Sequence, residues 1–134
     1  MKGNIHTYPV LIKEVYLDSF GHMNNATYLI LYEEARWDLI TKNGYGLNKI
    51  KESGLGPVIL EIKVNFLKEL RLREEIVIET QAVSYDRKIG RLQQKMIRNG
   101  IVCSTAEITL GLFSLTERKL VAPTPEWITA MGII

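Results

Sequence analysis

Hydrophobic and polar positions alternate most regularly between 58 and 66, where Val58, Leu60, Ile62, Val64 and Phe66 interleave with Ile59, Glu61, Lys63 and Asn65. A period of two predicts a long strand with one buried face. Two more strands are expected over 75–85, with Ile76 and Ile78 opposite Val77, and over 88–98, joined by a turn at Asp86, Arg87 and Lys88. Asn99 and Gly100 both tolerate positive φ, so a tight hairpin there leads into a strand over 101–115 whose Val102, Ala106, Ile108, Leu110 and Leu112 share a face. Residues 5–17 alternate loosely through Val10, Ile12, Val15 and Leu17 and contain Pro9, which suits an edge or entry strand.

After a loop rich in Asp, Ser, Gly and Asn over 18–25, the period changes. Ala26, Leu29, Ile30, Trp37 and Ile40 recur at helical spacing until Asn43 and Gly44, which predicts one helix of roughly five turns. Glu33 falls on the same face and is expected to point inward, with Arg36 near enough to pair with it. A short helix or turn over 45–54 and another at 126–132 complete the pattern. The order is strand, long helix, then four antiparallel strands: an α+β chain with no internal repeat or linker, read as a single domain over 1–134. One long helix cannot cover both faces of such a sheet, so a homodimer or homotetramer is expected.

At 134 residues, with 46% hydrophobic and 24% charged residues, the chain has the makings of one ordinary globular core. A net charge of +2 is too small for a dedicated nucleic-acid binder. Cys103 is the only cysteine, which excludes an internal disulfide and fits a cytoplasmic setting; its place in a strand reads as core. No apolar stretch approaches the ~20 residues of a membrane span, and no signal segment follows Met1. Two histidines, His6 and His22, form no recognisable metal site, and no Gly-rich phosphate loop, dinucleotide fingerprint or nucleophile elbow is present.

Candidate chemistry concentrates at Asp18-Ser-Phe-Gly21-His22-Met-Asn24-Asn25, immediately before the long helix. The first turn of a helix offers free N–H groups and the positive end of its dipole, which favour an oxyanion. A carboxylate beside it, Asp18, is suited to acyl transfer, or else only tightens the turn. Asp18-x-x-Gly21-His22-Met23-Asn24-Asn25, followed by Tyr28-Leu29 and Glu33-x-Ala35-Arg36, resembles the hotdog-fold acyl-CoA thioesterases of the 4-hydroxybenzoyl-CoA thioesterase type.

That resemblance spans roughly the whole chain and implies a hotdog fold, a long central helix wrapped by a sheet of about five antiparallel strands. It implies hydrolysis of acyl-CoA thioesters with Asp18 as nucleophile or general base and the Asn25 N–H polarising the carbonyl. Gly21, His22, Asn24, Tyr28 and Glu33 would shape the loop and position substrate, with a structural Glu33–Arg36 pair as the alternative for Glu33. Arg87, Lys88 and Arg91 are the cluster assigned to the CoA phosphates, or else a solvated turn. No cofactor or metal is implied beyond the substrate's own CoA. An acyl-carrier-protein thioesterase and a noncatalytic acyl-binding or assembly module are the rival readings of the same fold.

Overall fold

The computed structural model describes residues 2–133. Its strands are β1 (His6–Leu11), β2 (Leu55–Phe66), β3 (Glu75–Asp86), β4 (Ile89–Arg98), β5 (Ile101–Ser114) and β6 (Lys119–Val121). The helices are α1 (Asn25–Lys42), α2 (Leu47–Ser53) and α3 (Pro125–Ala130), with a 3-10 turn at Glu14–Tyr16. The strands form one antiparallel sheet in the order β1-β3-β4-β5-β2, with β6 pairing the end of β5. A long helix held against one antiparallel sheet is the expected hotdog arrangement.

The first strand is shorter than its pattern suggested. Ile12 is fully buried and donates its N–H to Glu74, after which the chain leaves the sheet through the 3-10 turn and Val15 is exposed. Pro9 sits on the edge strand β1, where a missing N–H costs no pairing. The β3–β4 and β4–β5 hairpins turn where expected, with Arg87, Asn99 and Gly100 all at positive φ. The three-residue strand β6, reached through Arg118 at positive φ, carried too short a pattern to be read beforehand.

α1 buries a different face from the one its aliphatic residues marked. Tyr28, Leu31, Tyr32, Ala35, Leu39 and Ile40 are buried, whereas Ala26, Leu29, Ile30, Trp37 and Glu33 are exposed. Two tyrosines carry the inward face: Tyr28 packs edge-on against Phe66, and Tyr32 finds a polar partner on the sheet below. The Tyr32 hydroxyl donates to Ser104 Oγ at 2.7 Å, and Ser104 in turn donates to the Asn65 carbonyl. Gln94 is fully buried on β4 and donates to the Tyr32 carbonyl and to Thr80 Oγ1. These bonds seat α1 over β3, β4 and β5 and satisfy the polar groups that burial strips of water.

β2 lies beyond that cover. Its residues Ile59, Leu60, Ile62 and Phe66 are exposed, and the expected single face is broken: a register shift between Ile59 and Glu61 puts Pro57 and Ile59, rather than Val58 and Leu60, on the helix side with Ile62, Val64 and Phe66. The opposite end of α1 packs on α3, where Trp127 is buried edge-to-face against Tyr45. Cys103 is fully buried. Among the described residues no helix is long and apolar enough to cross a membrane.

Candidate active site

The loop before α1 folds on its own polar residues. Asp18 N–H donates to the His22 carbonyl, Gly21 N–H donates to the Asp18 carbonyl, and Leu17 bridges Met23. Gly21 takes φ +87°, where its missing Cβ removes the cost any other residue would meet. Asp18 Oδ1 accepts the Phe20 N–H at 2.8 Å, which fixes the carboxylate by a local turn. Its other oxygen lies 3.5 Å from His22 Nδ1, too long for a strong hydrogen bond, so Oδ2 remains available.

Asn24 is the N-cap of α1: its side chain accepts the Ala26 N–H at 2.8 Å and its own N–H donates to the Tyr16 carbonyl. This makes Asn24 a structural residue of the site. Replacing it with Ala removes the cap and is expected to cost about 1 kcal/mol, a fall in melting temperature of roughly 3–5 °C. Thermal denaturation checks this, and an unchanged melting temperature contradicts it. Asn25, the first helical residue, donates its N–H to no group among the described residues. Asp18 and Asn25 line one open hollow.

The far wall of the hollow comes from the end of β2 and the segment after it: Phe66, Leu67, Lys68 and Glu69. Leu67 and Lys68 both donate their N–H groups to the Cys103 carbonyl, and Arg98 donates to the Glu69 carbonyl at 2.8 Å. Met23 N–H bonds the Leu70 carbonyl and ties this wall to the Asp18 loop. Tyr28 closes the floor, its ring 4.9 Å from Phe66 at 87°, and burial pushes its phenol pKa up, keeping it protonated. Glu69 is salt-bridged to Arg71, whose guanidinium holds the carboxyl below its ordinary range.

The sequence-expected residues separate into two groups. Asp18, His22, Asn25 and Tyr28 line the hollow, with Gly21 and Asn24 shaping the loop that bounds it. Glu33 does not join them: it is eight residues along α1 from Asn25, about 12 Å, and faces solvent. Nor does it bridge Arg36, which reaches under the helix and donates to Gln94 Oε1 at 3.0 Å. Burial lowers the Arg36 pKa, with Glu33 nearby opposing the shift.

Arg87, Lys88 and Arg91 sit at the β3–β4 turn, at the opposite end of the sheet. Arg91 is five residues along β4 from Met96, which stands in register with Ser104 and through it with Phe66. Strand spacing and rise make that roughly 20 Å. Arg91 lies instead on the outer sheet surface with Lys63 and Glu107. The basic residue at the hollow itself is Lys68. Phe66, Leu67 and Glu69 are not among the sequence-expected site residues, and Lys68 reads in sequence as part of a mixed charged loop with Arg71 and Arg73; their place at the hollow depends on a β2–β5 pairing that no local pattern encodes. Among the described residues no three His, Cys, Asp or Glu side chains converge as a metal-ligand set.

A family model described as the thioesterase-like superfamily matches residues 12–131. The chain belongs to this superfamily. Among relatives, a protein named long-chain acyl-CoA thioesterase FadM from Escherichia coli is 29% identical over 115 residues, covering 84% of this chain and 86% of the relative. The crystal structure of YbaW, a probable thioesterase from E. coli, is 26% identical with a TM-score of 0.84, over 94% of this chain and 98% of that one. A Staphylococcus aureus protein, SAV2348, solved in complex with CoA, is 21% identical with a TM-score of 0.89 over 97% of this chain and 83% of that one, a likeness of fold. The superfamily match extends across the Asp18 loop, α1 and every strand from β2 to β6, so the site described above lies within the shared domain.

Proposed function

We propose that this chain hydrolyses acyl-CoA thioesters to a free acid and CoA in the hollow between the Asp18 loop, the N-terminus of α1 and the segment Phe66–Glu69. The observation that carries the reading is that an oriented carboxylate, Asp18, and the helix-start residue Asn25, whose N–H is unused among the described residues, line one accessible hollow. The superfamily match supports it, and the loop carboxylate fits the 4-hydroxybenzoyl-CoA thioesterase type.

In this reading the thioester carbonyl oxygen accepts the Asn25 N–H, where the α1 dipole stabilises negative charge as the carbon becomes tetrahedral. Asp18 acts either by taking a proton from the attacking water or by bonding the acyl carbon to form an anhydride that water opens. In both, the C–S bond breaks, the acyl carbon gains an oxygen and the leaving thiolate takes a proton. Release of free thiol from acyl-CoA by the purified protein tests the function. Release from acyl carrier protein alone would give the site a different carrier, and release from neither would leave acyl binding without catalysis.

The enzyme acts as a homodimer with active sites between subunits. The twelve-residue strand β2 pairs only with β5, so in one chain its other edge is open, and its Leu60, Ile62 and Phe66 are exposed. Long apolar edges of this kind pair with a partner. Antiparallel pairing of two β2 strands about Ile62 puts the partner's β3–β4 end toward this chain's Phe66 end, so Arg87 and Lys88 of that turn approach the CoA phosphates from the second subunit while Lys68 does so from the first, and Arg91 stays on the outer sheet surface. Light scattering is expected to give twice the chain mass for wild type and the single-chain mass for Ile62→Lys. A monomeric wild type at micromolar concentration contradicts the shared site.

A further inference from the structure

Beyond Phe66 the pairing of β2 with β5 ends, and the segment that forms the far wall of the hollow is held by two consecutive residues of β5. The Cys103 carbonyl accepts the N–H groups of Leu67 and Lys68 at 3.0 and 3.1 Å, and Ser104 Oγ donates to the Asn65 carbonyl at 2.9 Å. Ser104 is also where α1 reaches this wall, because the Tyr32 hydroxyl donates to its Oγ at 2.7 Å. Both side chains are fully buried.

The two hydroxyls form a one-way chain. Tyr32 donates to Ser104, whose own hydrogen goes on to Asn65, and bonds aligned in this way strengthen one another away from water. Burial pushes the Tyr32 phenol well above its ordinary range, so it stays a donor. Neither hydroxyl takes part in the hydrolysis proposed above: Tyr32 lies seven residues along α1 from Asn25, about 10 Å, and Ser104 stands behind Phe66 in register. Tyr28, one turn before Tyr32, packs on Phe66. α1 therefore meets the wall at two successive turns, once through an aromatic contact and once through a hydrogen bond.

We propose that Tyr32 and Ser104 are positioning residues of the thioesterase site, their hydrogen-bond chain setting the spacing between the N-terminus of α1, which holds the thioester carbonyl, and the wall that carries Phe66 and Lys68. The inference rests on the thioesterase reading above. Asp18 and Asn25 are fixed by the loop's own bonds and by the helix cap, so they keep their geometry when the chain is cut. The wall does not. Without the Tyr32 donor, Ser104 loses the bond that orients it, and without the Ser104 hydroxyl the Asn65 carbonyl loses a donor. The grip on CoA is lost before the chemistry is, which raises KM rather than lowering kcat.

The test is kcat and KM for an acyl-CoA that wild type cleaves, measured with a thermal melt on wild type, Tyr32→Phe, Ser104→Ala, the double variant and Ser114→Ala. Each of the first two is expected to raise KM about tenfold with kcat within about threefold of wild type. The double variant is expected at the same tenfold, since both substitutions cut one chain. Ser114 is buried at the other end of β5, where its Oγ accepts the Glu117 N–H, so Ser114→Ala removes a buried hydroxyl remote from the hollow and is expected to lower the melting temperature without moving KM. Should one single variant melt below the assay temperature, the other decides. An unchanged KM in a folded variant, KM effects that multiply in the double variant, an equal rise in Ser114→Ala, or a fall in kcat at unchanged KM overturns the positioning role while leaving the hydrolase intact. No thiol release by wild type from any CoA ester overturns the hydrolase reading itself, and the positioning role with it.

Discussion

Replacing Asp18 by Asn is expected to slow thiol release from acyl-CoA at least about a thousandfold while shifting the melting temperature by no more than about 2 °C. The two halves of this expectation come from different atoms. Asp18 Oδ1 holds the Phe20 N–H at 2.8 Å, and the amide oxygen of Asn accepts the same bond. Oδ2, which faces His22 across 3.5 Å, becomes an amide nitrogen that neither takes a proton nor bonds an acyl carbon. A carboxylate that only tightened the loop would show the reverse pattern, with full activity and at most a small loss of stability. Steady-state kinetics beside a thermal melt of both proteins separates the two outcomes.

Trp127→Ala is expected to cost about 3–5 kcal/mol, a fall of roughly 10–20 °C in melting temperature. Trp127 is 1% exposed, packs edge-to-face on Tyr45 with ring centroids 5.2 Å apart, and donates its indole N–H to the Tyr85 hydroxyl at 3.2 Å. Truncation leaves a cavity under α3 and strips the Tyr85 hydroxyl of its donor. Tyr45 also donates to the Leu55 carbonyl, so loosening it loosens the start of β2. Thermal or denaturant unfolding measures the cost, and a loss below about 1 kcal/mol would mean that α3 is not anchored through this ring.

The parts of the site that are contiguous in sequence were legible in it. Asp18, Gly21, Asn24 and Asn25 act through a turn and a helix cap, and both are made by residues within a few positions of one another. The strands and the Asn99-Gly100 hairpin were legible for the same reason. The buried face of α1 was not, because hydrophobic residues mark two stripes and the sequence does not say which the sheet takes. Tyr28 and Tyr32 turn inward since Ser104 and the floor of the hollow accommodate them, leaving Leu29, Ile30 and Trp37 outside. Glu33, read as inward by its company on that stripe, went outward with it.

Phe66–Glu69 reach the site only through long-range pairing, which no local periodicity reports. Arg87, Lys88 and Arg91 illustrate the converse. The local pattern marks their turn, but the end of the sheet it occupies follows from strand direction. β3 begins beside Ile12, close to the start of the Asp18 loop, so the turn that ends β3 must lie at the far end. Strand direction alone carried that information.

The most direct test of the site is a crystal structure with an acyl-CoA analogue in which a methylene replaces the thioester sulfur, so that the carbonyl stays and cleavage does not occur. The carbonyl oxygen is expected about 2.7–3.1 Å from the Asn25 N–H donor, with the Asp18 carboxylate against the carbonyl carbon and Lys68 toward the phosphates. A carbonyl bound away from the N-terminus of α1, with Asp18 out of reach of it, would contradict the assignment of the active site.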